Sequence, residues 1–121
     1  MNKSHTLYDR SLDFAVRIVA LYRYLQQDKK EFVISNQIMR SGTSIGANIA
    51  EAKGAQSDQD FIAKLHISLK EAFETGFWIR LLLRTGILSE SEALSLLNDI
   101  NSLIALLTSS IKTVKLRANH S

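Results

Sequence analysis

Arg40-Ser-Gly-Thr-Ser-Ile-Gly-Ala-Asn-Ile-Ala-Glu51 is the stretch whose reading decides the fold. It holds no proline and is flanked by helical periodicity, so it predicts a helix. The helix is unusual, because Ser41, Gly42, Thr43, Ser44, Gly46 and Asn48 are all poor or middling helix formers. Each glycine in a helix interior costs about 1 kcal/mol relative to alanine. A sequence that keeps two of them implies close backbone approach. Gly42, Gly46 and Ala50 fall at i, i+4 and i+8, one smooth face on which a neighbouring helix can lie. On a second face Gln37, Ser41, Ser44, Asn48 and Glu51 form a polar seam in heptad spacing, where a packed helix is normally apolar.

Working outward, the same periodicity fills the rest of the chain. A first helix, about 7–27, starts at the cap Thr6 with Asp9 three positions on, and Leu12, Ala15, Val16, Val19, Tyr22 and Leu25 give its expected core face. The second, about 34–53, carries Ile38, Ile45, Ile49 and Ala52 inward, with Gly54 expected as a left-handed stop. Ser57 and Asp60 read as a capping box for a third helix, about 58–85, with Ile62, Leu65, Leu69, Ala72, Phe73, Gly76 and Leu83 inward and Gly86 as its stop. Ser89 and Glu92 cap the fourth, about 90–116, on Leu94, Leu97, Ile100, Leu103, Ile104, Leu107, Ile111 and Val114, with 117–121 expected as a frayed tail. Four long helices with short turns predict an all-α, antiparallel up-down-up-down four-helix bundle occupying 1–121 as a single domain.

Composition agrees. The 121 residues are 45% hydrophobic and 22% charged, with no proline, five glycines and no cysteine. That excludes disulfide scaffolds, thiolate metal sites and cysteine nucleophiles, and fits a reducing compartment. The N-terminus lacks the apolar segment of a secretory leader, and no uninterrupted apolar run approaches the ~20 residues of a membrane span, so a cytoplasmic protein with no membrane partner is expected. The formal charge of +3 permits a polyanionic partner without requiring one.

The polar seam of Arg40, Ser41, Ser44, Asn48 and Glu51 reads first as a structural network, with a ligand-binding site as the alternative. A polar group buried without a partner costs about 1–3 kcal/mol, so the seam must meet matching groups. A second mixed seam on helix three, Lys64, Ser68, Glu71, Thr75 and Trp78, together with Glu74, supplies them. Arg40 is expected to pair with one of these glutamates, and Ser44 and Asn48 to bond across the helix pair. Arg40→Leu is then expected to impair folding or oligomer state. Catalytic, metal and cofactor sites are not expected: His5 and His120 lie near the ends, His66 stands alone, and Ser109-Ser-Ile-Lys112 lacks the companion motifs of a Ser-x-x-Lys enzyme. Phe77 and Trp78, followed by Leu81 and Leu82, make helix three apolar on more than one side, so Trp78 either sits at a subunit interface or closes the end of the bundle.

The segment Gln37-x-x-Arg40-Ser-Gly-Thr-Ser-Ile-Gly-Ala-Asn-Ile-Ala-Glu51, followed by Phe61, Ser68-x-x-Glu71 and Trp78, resembles the 23S rRNA intervening-sequence proteins over nearly the whole chain. Where that family usually has Gly after the glutamate, this chain has Ala52, with Gly54 two places on. The resemblance implies a bacterial helical bundle that assembles as a homo-oligomer, often a pentamer, with no established catalytic residue. It implies distant similarity to the accessory protein of diversity-generating retroelements, which binds a reverse transcriptase and nucleic acid. The leading expectation is therefore contact with RNA or DNA through basic residues of the assembled oligomer, with Arg10, Arg17, Arg23, Lys53 and Lys64 as candidates. The alternative is an adaptor for a partner protein.

Overall fold

Each helix begins where the sequence supplies an oxygen for its free amides. The computed structural model describes residues 6–119, as α1 (Leu7–Gln27), α2 (Val33–Ala52), α3 (Asp58–Arg84) and α4 (Glu90–Asn119), with no strand among the described residues. Thr6 Oγ1 accepts the Asp9 amide at 3.0 Å, and Ser57 Oγ accepts that of Asp60 at 3.0 Å. The Asp60 carboxylate reaches back to the Gln56 amide (3.3 Å) rather than to Ser57, so this box is only half reciprocal. At α2 the cap is Glu31, a residue that periodicity alone leaves in a polar connection. Its carboxylate accepts the amides of Val33, Ile34 and Ser35 at 3.1, 2.9 and 2.7 Å, placing negative charge at the positive end of the helix dipole.

The α4 cap is fully reciprocal: Glu92 N donates to Ser89 Oγ (3.2 Å) and Ser89 N donates to the Glu92 carboxylate (3.0 Å). The Ser89 backbone N–H, and then its side chain, hold the Glu92 carboxyl below the usual carboxylate range. A depressed folded-state pKa contributes stability that is complete above the unfolded value of about 4.3 and is lost as pH falls through the folded value. Glu92→Gln is therefore expected to melt below the wild type at pH 7, with the gap closing near pH 3. Paired thermal melts at the two pH values test this; a gap that does not change with pH contradicts it.

Helix ends partly follow expectation. Gly86 (φ 75°) is the left-handed stop after α3. Gly54 is not one: α2 unwinds through right-handed turns, Gly54 N to Glu51 O (3.0 Å) and Ala55 N to Ala52 O (3.0 Å). The left-handed residue between α1 and α2 is Lys30 (φ 55°). The tail expected to fray from residue 117 is helical to Asn119, and Arg117 pairs with Asp58 at 3.0 Å. His5, His120 and Ser121 lie outside the described residues.

The core holds the expected stripe of α2, while α1 is rotated from its expected setting. It buries Ser11, Phe14, Ile18, Leu21 and Leu25, leaving Leu12 and Val16 50% and 64% exposed. The helix carries two apolar stripes, and the one turned inward suits the glycines of α2. Ile18 lies so close over Gly42 that a Cβ there would stand 2.8 Å from its Cγ1, and Ser11 faces Gly46, where a Cβ would stand 3.1 Å from Oγ. Ala50 is exposed. In α3, Phe73 faces solvent rather than the core, because Ser68, Thr75, Ile79 and Leu82 turn inward; in α4, Ala93 and Leu96 occupy the inward positions and Leu94 is exposed.

Helix α2 packs between α1 and α3, α3 also packs on α4, and the α1–α4 seam is the sparsest. By length and composition α4 is apolar enough to cross a membrane. Its inward row, from Ala93 and Leu97 through Leu107 to Val114, is spent on the bundle core.

Candidate nucleic-acid interface

The four seams of the bundle present four surfaces of different chemistry. Between α2 and α3 lies the polar network. Thr75 Oγ1 stands 2.8 Å from both Ser41 Oγ and Glu71 O. One hydroxyl proton cannot serve both, so the Ser41 hydroxyl supplies the second. Ser68 donates to the backbone oxygen of Ile45 at 2.8 Å, and Ser41, Ser68 and Thr75 are all fully buried. Toward solvent, Arg40 pairs with Glu74 and, at 3.3 Å, with Glu71, while Lys64 pairs with Glu51 at 3.0 Å. That hydrogen bond, with the Glu51 charge, holds the Lys64 ammonium above its ordinary pKa. Asn48 does not bond across the pair as expected; its amide donates within α2 to Ser44 O at 2.9 Å. The Arg40 side chain is half exposed, so the buried hydroxyls rather than the ion pairs form the inner part of this seam.

The expected nucleic-acid contacts do not converge. Arg17 is tied to Asp99 (2.5 Å) and to Ser95 Oγ (3.0 Å), across the α1–α4 seam. Arg10 borders the same depression of about 320 Å³, beside Asp13 and Asp99, so the charge there is mixed. Lys53 lies over the Tyr8 ring, 4.2 Å from its centroid, Lys64 is paired, and Arg23 is exposed on α1.

The basic surface lies elsewhere, on the outer side of α3. His66, Lys70, Phe73, Phe77, Arg80 and Arg84 follow heptad spacing along one row, and all six are exposed. No Asp or Glu interrupts the row, and among the described residues Lys70, Arg80 and Arg84 form no ion pair. At one end it opens into a depression of about 340 Å³ between α3 and α4, floored by Leu69, Ile111 and Leu116 and rimmed by His66, Lys112 and Lys115. Phe77 meets Trp78 edge-on, with centroids 5.0 Å apart and planes at 70°. Trp78 is half buried, and its Nε1 donates to Glu74 at 2.9 Å. Sequence reasoning missed Lys70, Arg80 and Arg84 and placed Phe73 in the core; the regular spacing of these residues was the signal that could have found them.

The fourth surface, over α1 and α2, carries no charge at its centre. Leu12, Ala15, Thr43, Gly46, Ala47 and Ala50 line a shallow groove of about 180 Å³, with Val16 exposed beside it. For metal chemistry, no group of three or more His, Cys, Asp or Glu side chains is placed to hold an ion among the described residues.

Comparison with known proteins accords with this bundle. No curated protein matches the chain. A crystal structure of a protein of unknown function from the S23 ribosomal protein family of Bacteroides thetaiotaomicron is similar, at 56% identity and a TM-score of 0.87, over 88% of this chain and 95% of that one. The model of the 23S rRNA-intervening sequence proteins matches residues 3–109. With nearly the full bundle covered, the chain belongs to the 23S rRNA-intervening sequence protein family.

Proposed function

We propose that this protein binds nucleic acid through the α3–α4 surface and self-associates, as a pentamer or related ring, through the uncharged α1–α2 groove. The observation that carries the reading is the acid-free row of basic and aromatic residues along α3. Five basic side chains, Lys70, Arg80, Arg84, Lys112 and Lys115, lie on the row or at its end depression. The family name, tied to intervening sequences of 23S rRNA, points the same way. Binding rather than catalysis fits the isolation of His66, and a cytoplasmic location fits such a partner. A ring would repeat the cationic face once per copy, so contacts would multiply without any sequence-reading element, giving recognition led by charge and shape.

The test is binding to labelled RNA and duplex DNA across a salt series, with oligomer mass measured in parallel. If all five cations meet phosphates, log K falls against log salt with a slope of roughly −3 to −5 per chain. Absence of binding at low salt by folded protein overturns the reading. A monomer that binds no polyanion would instead favour an adaptor whose α1–α2 groove, exposed and apolar, receives a partner polypeptide.

A further inference from the structure

Building on that reading, we infer that the ligand of the α3–α4 surface is an unpaired nucleic-acid strand, whose bases stack on Phe73 and Phe77 while its phosphates lie against the flanking cations. A duplex offers this surface only phosphates, because its bases are already stacked. The two phenylalanines would then remain among the most exposed large apolar side chains of the protein, at 58% and 56%, with nothing to cover them. An unpaired strand presents both phosphate and the flat face of each base, the combination that cations interleaved with aromatic rings match.

The spacing fits. Phe73 and Phe77 are four residues apart, a rise of about 6 Å along the helix. Lys70 precedes the pair by one turn, and Arg80 and Arg84 follow it, so cations bracket the rings on both sides. The Arg80 guanidinium folds back over Gly76, where a Cβ would stand 3.0 Å from Nη1, which keeps it close to the row. Phe77 is held in place before any ligand arrives, since its edge contact with Trp78 is anchored through Glu74 to Arg40 of α2. A ring fixed in advance loses little freedom when a base stacks on it. The depression beyond His66, about 340 Å³ with an apolar floor and a cationic rim, is at the lower end of the ~300–1,000 Å³ range of small-molecule pockets and has room for a further base.

Charge complementarity favours this occupant over a second copy of the chain. The shallow groove over α1 and α2, the face assigned above to self-association, offers no acidic residue to meet Lys70, Arg80 and Arg84.

The experiment uses the full chain in three forms: wild type, Phe73→Leu/Phe77→Leu and Arg80→Gln/Arg84→Gln. The leucines keep an apolar side chain and remove the ring. The probes are oligouridine, oligothymidine and a duplex with the same number of phosphates, titrated at one salt concentration and then across a series, with mass determined by light scattering. The wild type is expected to bind the single strands at least about 10-fold tighter than the duplex. The leucine variant is expected to lose about 10- to 100-fold on single strands, with duplex affinity and salt slope unchanged, as loss of base stacking requires. The glutamine variant is expected to weaken binding to every probe and to reduce the slope by about 2. Equal wild-type affinity for strand and duplex overturns this inference while leaving the nucleic-acid reading in place. So does a leucine variant that keeps its single-strand affinity, or one whose mass changes, which would assign the rings to contact between copies. Binding to none of the probes overturns both.

Discussion

Gly42→Ala is expected to lower the free energy of unfolding by about 1–3 kcal/mol, the usual cost of forcing an added carbon into a packed interior. The new Cβ would stand 2.8 and 2.9 Å from Cγ1 and Cγ2 of Ile18, atoms fixed by branching at Cβ and fully buried. Neither can swing aside without moving α1. Alanine also gains about 1 kcal/mol of helix propensity over glycine, so the expected loss is what remains after that gain. Gly76→Ala supplies the contrast. Its Cβ meets only the far end of the Arg80 side chain, at 3.0 Å, which can shift, so the same exchange is expected to be neutral or stabilising by up to about 1 kcal/mol. Chemical denaturation of both variants decides the matter, and two shifts of the same sign would refute the account of Gly42 as the point of closest approach. A double-mutant cycle with Ile18→Ala would show the clash directly, as a double variant less destabilised than the two single losses added together.

Thr75→Val is expected to cost about 1–3 kcal/mol despite being nearly isosteric. It strips Ser41 Oγ of its partner across the helix pair inside a fully buried seam. Ser41→Ala leaves Thr75 its bond to Glu71 O and is expected to cost less, about 1 kcal/mol. The double replacement removes both polar groups at once and is expected to be no worse than Thr75→Val alone. Arg40→Leu, by comparison, breaks pairs made by a half-exposed side chain, so no more than about 1 kcal/mol is expected from it. If urea denaturation ranks Arg40→Leu as the most damaging of the set, the seam is held by its outer charges and not by its buried hydroxyls.

Helix number, order and approximate bounds were legible in the sequence because caps are local chemistry. Ser89 with Glu92, Thr6 with Asp9, and Gly86 each act within a few residues. The setting of α1 was not legible. Leu12-Val16-Val19 and Phe14-Ile18-Leu21 are comparably apolar rows, and only the approach of Ile18 and Ser11 to Gly42 and Gly46, across the chain, selects the second. Phe73 misled for a related reason: an aromatic ring at core spacing reads as core unless neighbouring serine and threonine are known to turn inward, as Ser68 and Thr75 do. The pairing of Arg40 with Glu71 and Glu74 could be anticipated from complementary charge at matching spacing, whereas the bond from Asn48 to its own helix could not, since both options suit the amide. The basic surface escapes a count of cations along the chain and shows only when they are sorted by helix face, where the heptad spacing of Lys70, Phe73, Phe77, Arg80 and Arg84 sets them on one row free of acids.

The sparse seam between α1 and α4 gives the molecule a hinge side and a latch side. Along α2 the first helix is seated by backbone approach at the glycines, while along α4 its side-chain hydrogen bonds are those of Arg17, reaching to Asp99 and Ser95. A latch of exposed charges is weak and sensitive to salt. The bundle is therefore a three-helix body to which the first helix is joined along one edge, and local opening would begin by swinging that helix away from α4. Such an opening would uncover Leu96 and Leu103, which line the α1–α4 seam, without disturbing the α3 row.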